Sequence, residues 1–215
     1  MEIVIARRFR GPADSGNGGF TCGLIAAAAG EPAEVTLRLP PPLETPLQLE
    51  NGKVLHRDTV VAEVRPASVE LEPPPRVSFE DATRAARPDL HSPFPECFVC
   101  GHARDDGLRI FARPVPGRDV VAAPWVPDET QTERPYVWAA LDCPGAYTTG
   151  VPGRGTVVLG RLAADVRRVA RAGERCVVVG WPLGSEGRKH DAGTVLFGED
   201  GDVVGIGRAT WIEPR

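Results

Sequence analysis

The sequence of 215 residues lacks any long apolar run. A membrane-spanning helix needs about 20 consecutive, mostly apolar residues, and no stretch of this chain approaches that length. The first eight residues, Met1–Arg8, also lack the order of a secretory signal peptide, in which positive charge precedes the apolar stretch. We therefore expect a cytoplasmic protein with no membrane partner.

The sequence also lacks an excess of positive charge, because its formal net charge is −4 at pH 7. A surface that binds nucleic acid needs a concentrated basic patch to neutralise phosphates. The charge balance therefore argues against nucleic acid as the main partner. With 42% hydrophobic and 25% charged residues, the composition is that of a soluble globular protein with room for one large domain or two small ones.

Cysteine is scarce and odd in number, which does not suit a closed disulfide framework. We expect the cysteines to be reduced in the cytoplasm. Cys97, Cys100 and His102 lie close together in the sequence, but a closed zinc site needs about four ligands and the other candidates are His91 and distant cysteines. We therefore expect neither a disulfide nor a metal. The five cysteines are Cys22, Cys97, Cys100, Cys143 and Cys176.

The chain does contain a glycine-rich turn that leads into an almost wholly small and apolar segment, Ser15–Gly30. This pattern predicts a helix near Gly18–Ala29 that ends at a glycine. A helix without a polar face must be covered on every side, and a curved sheet is the cover that the rest of the chain can supply. We therefore expect sheets wrapped around helices.

The first 72 residues predict a strand, this helix and then several antiparallel strands. The predicted helix follows a β-prone segment, Glu2–Phe9, and Asn51-Gly52 is a strong hairpin signal between later strands. The further predicted strands are Glu34–Leu39, Leu43–Leu49 and Thr59–Val64.

Prolines accumulate between residues 73 and 95, around one short potential helix, Phe79–Ala86. Such composition is typical of a linker. Beyond it the order of strands, helix and strands begins again, with Tyr136–Asp142 as the helical stretch. We therefore divide the chain into units 1–72 and 96–215 joined by a proline-rich linker, 73–95. The predicted strands of the second unit are Leu108–Ala112, Val120–Ala123, Thr156–Val169, Arg175–Trp181, Ala192–Phe197 and Val203–Ile212.

Several motifs in residues 96–215 resemble those of the hotdog superfamily of acyl-CoA thioesterases and dehydratases. They are the segment Cys97–Gly101 followed by Gly107–Phe111, the strand and turn Asp165–Glu174, and a closing hairpin from Asp200-Gly201 to Thr210. The first 72 residues match more loosely. The resemblance implies an α+β double hotdog, in which two antiparallel sheets are joined edge to edge and each is wrapped around a central helix.

The resemblance to phenylacetyl-CoA-type thioesterases implies one composite active site. In that family a His-Gly-Gly or Asn-Gly-Gly turn opens the helix, its N–H groups polarise the thioester carbonyl, and an acid from the partner unit attacks or activates water. Asn17-Gly18-Gly19 matches the turn, but no acid lies near Ala26. Asp142 matches the acid, although the Glu133-Arg134-Pro135 turn before it lacks glycine. We therefore assign catalysis to Asn17, Gly19 and Asp142, with Gly18 binding substrate.

A purely structural interpretation of the same residues stays open. Gly18 and Gly19 suit a tight turn, and Asp142 suits the cap or the end of a helix. Pro144 departs from the family pattern, because proline should break a helix two residues beyond the acid. Cys143 lies next to Asp142, but it has no histidine near it in the sequence and suits a small buried apolar position.

A basic cluster, Arg188-Lys189-His190, precedes a predicted strand, where family members often have a Gly-Arg segment near bound CoA. Its charge suits the phosphates of CoA, and a solvated loop is the alternative. The sequence thus predicts hydrolysis of a small or medium acyl-CoA without a cofactor. The alternative is a non-catalytic double hotdog that binds acyl-CoA or a similar ligand. A homo-oligomer of such chains is compatible with either.

Overall fold

The computed structural model describes residues 1–152 and 155–214. The described chain contains eleven strands and four α-helices, with a short 3₁₀ helix at Arg7–Phe9. The helices are α1 (Gly18–Ala29), α2 (Phe79–Ala85), α3 (Arg134–Ala140) and α4 (Cys143–Thr148). The strands are β1 (Glu2–Ile3), β2 (Ala33–Leu37), β3 (Leu47–Glu50), β4 (Lys53–His56), β5 (Thr59–Pro66), β6 (Arg113–Pro114), β7 (Val121–Trp125), β8 (Val158–Val166), β9 (Cys176–Glu186), β10 (Lys189–Phe197) and β11 (Val203–Ile212).

All eleven strands form one continuous sheet in the order β1-β3-β4-β5-β2-β8-β11-β10-β9-β7-β6. Every pairing is antiparallel. The two halves of the chain meet edge to edge where β2 pairs with β8, from Ala33 opposite Ala164 to Thr36 opposite Arg161. This is the predicted joined antiparallel architecture.

Helix α1 is covered on two sides over most of its length, and Ala27 and Ala29 in its last turn are exposed, so the cover predicted for every side is incomplete. It packs against β2, β5 and β8 on one side and against α3 on the other. The approach to α3 is close: a Cβ added at Gly23 would lie 2.7 Å from the Cα of Pro135 and 2.8 Å from the Cβ of Trp138. Glycine at this position therefore allows the helices of the two halves to touch.

The hairpin predicted at Asn51-Gly52 is confirmed. Strand β3 turns into β4 across these two residues, with Glu50 opposite Lys53. Both turn residues have positive φ, 48° and 75°, which is the requirement of a type I′ turn and the reason for the Asn-Gly preference. The closing strand predicted at Val203–Ile212 is observed over the same residues.

The strand predicted at Leu108–Ala112 is wrong. This segment has no strand; instead the Leu108 and Ile110 amides donate to the Phe98 and Val99 carbonyls, at 2.8 and 2.9 Å. Arg109 between them has φ of 56°, a left-handed conformation that interrupts an extended strand. The segment therefore binds the Cys97–Gly101 loop rather than a strand.

Helix α2 anchors the proline-rich segment 73–95 to the second half of the chain. Ala82 and Ala85 are buried with Val177, Val179 and Val195 of the sheet. This small core lies apart from the large one that holds α1 and α3. Among the described residues, no helix has the length and apolar character needed to cross a membrane.

Candidate functional site

The second predicted helix, Tyr136–Asp142, is interrupted before the acid. Helix α3 ends at Ala140, and α4 begins at Cys143 after Asp142, whose φ and ψ are −81° and −85°. The cause is Pro144, because a proline ring clashes with the carbonyl of the residue four positions earlier, which is Ala140. Asp142 therefore lies at the break between the two helices as the N-cap of α4. This agrees with the cap position that the sequence left open, whereas the single helix predicted over Tyr136–Asp142 is wrong at its end.

The carbonyl groups freed at this break are bound from both sides. The Thr194 hydroxyl on β10 donates to the Leu141 carbonyl at 2.8 Å, and the Gly145 amide donates to the Asp142 carbonyl at 2.9 Å. Thr194 is fully buried. These hydrogen bonds remove the free-energy cost of burying unpaired backbone carbonyls. They also hold the backbone at Asp142 in one position.

The start of α1 lies directly against this break. Asn17 is the N-cap: its Oδ1 accepts the Phe20 amide at 2.9 Å, as a capping side chain does. Its Nδ2 donates to Oδ2 of Asp142 at 2.9 Å, and the Gly19 amide donates to the same oxygen at 2.9 Å. The structure thus brings together Asn17, Gly19 and Asp142, which belong to opposite halves of the chain.

Gly19 has no room for a side chain at this junction. An added Cβ would lie 2.8 Å from the carbonyl oxygen of Trp138 and would collide with the Asp142 side chain. Real Cβ atoms essentially never approach backbone this closely. The glycine is therefore what lets the amide reach the carboxylate.

Asp142 is 2% exposed, and burial raises the pKa of its carboxyl to about 7. The bond from the Gly19 amide and the one from Asn17 act in the opposite direction, because they stabilise the ionised form. Its second oxygen, Oδ1, is buried without a hydrogen-bond partner among the described residues. One oxygen of the carboxyl group is thus anchored by two donors, and the other has none among the described residues.

A pocket of about 310 Å³ opens at this junction and is lined by both halves of the chain. Most of its wall is apolar, including Leu159 and Trp211. The Trp211 indole N–H is buried and has no partner among the described residues. Asn17, Gly18 and Asp142 line the pocket together. The first turn of α1 therefore faces a mainly apolar pocket.

The amides of the first turn of α1 differ in their hydrogen-bond partners. The first amides of a helix have no partner within the helix. Here Gly19 donates to Asp142, Phe20 to the Asn17 side chain and Thr21 to the Asn17 carbonyl. None of these three bonds involves the amide of Gly18, which lines the pocket.

The basic cluster does not line this pocket. The His190 ring is held by Ser185 and Glu213, at 2.8 and 2.9 Å. Arg188 donates to the Glu213 carbonyl at 2.7 Å. Lys189 instead lines a neighbouring groove with Arg161. That groove shares part of its wall with the pocket, through residues Leu37, Arg38, Gly160 and Ile212.

Three thiols, which sequence reasoning did not group, line the pocket beside Asp142: Cys97, Cys100 and Cys143. Hydrogen bonds from Cys100 and Cys143 lower the pKa of Cys97. The Cys-x-x-Cys spacing of the first two is visible in the sequence. The approach of Cys143 was not, because it depends on the helix break.

Comparison with known proteins was informative only at the level of structure. No protein-family model matches the sequence, and a search of curated proteins found no match either.

Solved structures do match along the whole chain. A conserved protein of unknown function with a hot dog fold from Alicyclobacillus acidocaldarius is 11% identical, with a TM-score of 0.62, over all of this chain and 92% of its own. A protein from Thermobifida fusca YX, named for a proposed thioesterase II activity, is also 11% identical, with a TM-score of 0.63 and the same coverage. Together with the single antiparallel sheet joined at β2 and β8, these matches show that the chain has the hotdog fold in its double form.

Proposed function

We propose that this protein hydrolyses the thioester of a small or medium acyl-CoA, with Asp142 as the general base. The observation that carries the proposal is the position of the Asp142 carboxylate. It is anchored at the start of α1 by Asn17 and Gly19 while its Oδ1 has no partner among the described residues. A buried carboxylate of this kind needs a partner, and a water molecule in the pocket supplies one.

In this proposal the thioester carbonyl oxygen accepts a hydrogen bond from the Gly18 amide. Helix N-termini and their free amides favour negative charge, so this bond strengthens as the oxyanion develops. Oδ1 of Asp142 takes a proton from water, and the oxygen of that water attacks the carbonyl carbon. The carbon–sulfur bond then breaks, and the proton passes to the CoA sulfur. The products are a carboxylic acid and free CoA thiol.

The pocket and the groove beside it support the two parts of such a substrate. An apolar space of about 310 Å³ suits a short or medium acyl chain. Lys189 and Arg161 line the adjoining groove, where their charges suit phosphates. We assign phosphate binding to this groove and no ligand contact to His190, whose ring is already bound on both sides.

The structural match named for a proposed thioesterase II activity agrees with this assignment in its name. At 11% identity it shows the fold alone, so the substrate and the activity rest on the geometry of the junction. A protein that binds acyl-CoA without hydrolysing it is the second candidate. The observation that favours it is the Gly19 amide, which already donates to Asp142.

The experiment is thiol release from a panel of acyl-CoAs by the full-length chain and by Asp142→Asn. Asparagine keeps the size of the side chain but cannot take a proton. We expect turnover to fall by about a hundredfold or more, with binding of the acyl-CoA retained. Asp165→Asn, a half-buried acid on β8 that does not line the pocket, is the matched control and should keep wild-type turnover.

The outcomes separate the two candidate functions. Release of thiol by wild type with unchanged turnover in Asp142→Asn would overturn the assignment of the base. Binding of an acyl-CoA without thiol release by wild type would replace the hydrolase with the binding protein.

A further inference from the structure

Three thiols from two distant parts of the sequence converge on the wall of the pocket. Cys97 and Cys100 lie in the loop before the second half of the sheet, and Cys143 is the first residue of α4. All three are buried, and their sulfur atoms lie within 4.8 Å of one another. The expectation that no metal binds counted Cys97, Cys100 and His102 as near neighbours and the other cysteines as distant, whereas the structure brings Cys143 to the first two thiols.

The Cys97–Gly101 loop is a tight turn that holds the Cys97 and Cys100 sulfurs close together. The Cys97 sulfur also accepts a hydrogen bond from Nδ2 of Asn17 at 3.7 Å. The Gly101 amide closes the turn by donating to the Cys97 carbonyl at 2.8 Å. An added Cβ at Gly101 would lie 2.5 Å from that carbonyl oxygen. The glycine therefore keeps the two cysteines on one tight turn.

The spacing of the sulfurs fits a tetrahedral ion. Zinc–sulfur bonds of about 2.3 Å at tetrahedral angles separate two sulfur ligands by roughly 3.8 Å. The Cys97 and Cys143 sulfurs are 3.8 Å apart. The cluster therefore needs only small movements of Cys100 to surround a zinc-sized ion.

The charge around the thiols favours a cation. Asp142, next to Cys143 in the chain, lines the same pocket, and its Oδ1 is buried with no partner among the described residues. Among the described lining residues, the one cationic side chain is Arg38, and it is already paired with Glu63 at 2.5 Å. A positive ion would thus compensate charge that the side chains of the pocket do not.

We propose that Cys97, Cys100 and Cys143 bind one Zn²⁺ ion as thiolates, with the fourth tetrahedral position open to the pocket. Soft sulfur ligands select zinc over magnesium or calcium. The three thiol protons pass to solvent as the metal–sulfur bonds form. The inference is independent of the proposed hydrolysis, because a protein that only binds acyl-CoA would hold the same ion.

The test is titration of the reduced, metal-free full-length chain with Co²⁺, followed by displacement with Zn²⁺. We expect thiolate-to-cobalt charge-transfer absorption and the intense visible bands of tetrahedral cobalt, saturating at one ion per chain. Zinc should abolish both, and elemental analysis should then find one zinc per chain. Neither readout requires catalytic activity, so a failed hydrolysis assay leaves this test intact.

Two variants separate the cluster from cysteine in general. Cys143→Ser should lose the charge-transfer band and weaken zinc binding by at least tenfold. Cys176→Ser removes a buried thiol on β9, outside the cluster, and should bind as wild type does. Circular dichroism of each variant checks folding. Absence of the band from wild type, six-coordinate cobalt, or equal binding by folded Cys143→Ser would each overturn the proposal.

Discussion

The two halves of the chain bring different helix geometry to the shared pocket. In the first half α1 is unbroken over twelve residues, starts with two glycines and carries no acid. In the second half the corresponding helix is divided into α3 and α4, and Asp142 lies at the division. One half thus supplies amides and the other supplies a carboxylate, so neither contains the whole candidate site.

The break in the second helix determines where Asp142 lies relative to α1. In a continuous helix Asp142 would lie on the helix surface, and its backbone amide and carbonyl would be hydrogen-bonded within the helix. The break instead directs Asp142 at the start of α1, with Thr194 holding the freed Leu141 carbonyl. Pro144 departs from the family pattern, which counts against a catalytic role for Asp142. The same proline causes the helix break that directs Asp142 towards α1.

The largest expected effect is on stability, and it comes from adding a side-chain atom in the narrow space between the two halves. Gly19→Ala introduces a Cβ against the Trp138 carbonyl and Asp142, so we expect a loss of about 3 kcal/mol in the free energy of unfolding. Gly18→Ala is the matched comparison, because the nearest atoms to its Cβ belong to the Leu159 side chain and not to the backbone. It should cost less than Gly19→Ala, since a side chain can shift more readily than the Trp138 carbonyl. Urea unfolding measures both, and equal stability of the two variants would refute the close junction.

A second difference between the halves is the burial of their ion pairs. In the second half Glu174 is 4% exposed and accepts hydrogen bonds from Arg168 at 2.6 and 3.0 Å. In the first half the Arg38–Glu63 pair is exposed, with 51% and 41% of the two side chains accessible. Exposed pairs contribute little to stability, so acid should weaken mainly the second half.

Glu174→Gln tests this difference. Burial opposes ionisation, but the bonds from Arg168 and from the Arg171 amide lower the pKa of Glu174 to about 2. A lowered folded pKa contributes stability above the unfolded pKa of about 4.3, and the contribution is lost as pH falls towards 2. We expect Glu174→Gln to cost about 2 kcal/mol at pH 7 and progressively less below pH 4.

The control for that experiment is Glu63→Gln in the exposed pair. Its free energy of unfolding should differ from wild type by less than about 1 kcal/mol. Chemical denaturation at a series of pH values provides the comparison. A cost of Glu174→Gln that is the same at pH 2 as at pH 7 would show that the Glu174 charge does not stabilise the fold.

The smallest expected effect is on substrate binding by the groove beside the pocket. Lys189→Ala should raise KM for an acyl-CoA several-fold and leave kcat unchanged, because a phosphate contact far from the carbonyl binds ground state and transition state alike. Lys53→Ala on β4 is the control. Steady-state kinetics with a thioester that lacks the nucleotide should show no difference. An unchanged KM for the CoA substrate would remove the groove from the site.

The sequence predicted the parts of the fold whose signals are local. Asn51-Gly52 fixed the hairpin through its backbone preference, and the apolar segment after Gly18 predicted α1 because a helix without a polar face must be buried. The strand predicted at Leu108–Ala112 failed because the positive φ of Arg109 depends on contacts with the Cys97 loop.

The candidate site was predicted only in part. Asn17, Gly19 and Asp142 were named from a resemblance, and the structure brings them together. The hydrogen-bond partner of each atom was not predictable from the sequence. The Gly19 amide, for example, donates to the Asp142 carboxylate and not to a substrate carbonyl. The approach of Cys143 to Cys97 also depends on the break between α3 and α4. Pro144 signals that break in the sequence, but it does not show which distant residues the freed segment contacts.

The most direct test of the shared pocket is the crystal structure of the protein with a ketone analogue of an acyl-CoA, in which a methylene group replaces the sulfur. We expect the ketone oxygen to lie within hydrogen-bond distance of the Gly18 amide and the carbonyl carbon to lie beside Oδ1 of Asp142. The nucleotide should extend towards Lys189. An analogue bound away from the junction of α1 with the break before α4 would contradict this expectation.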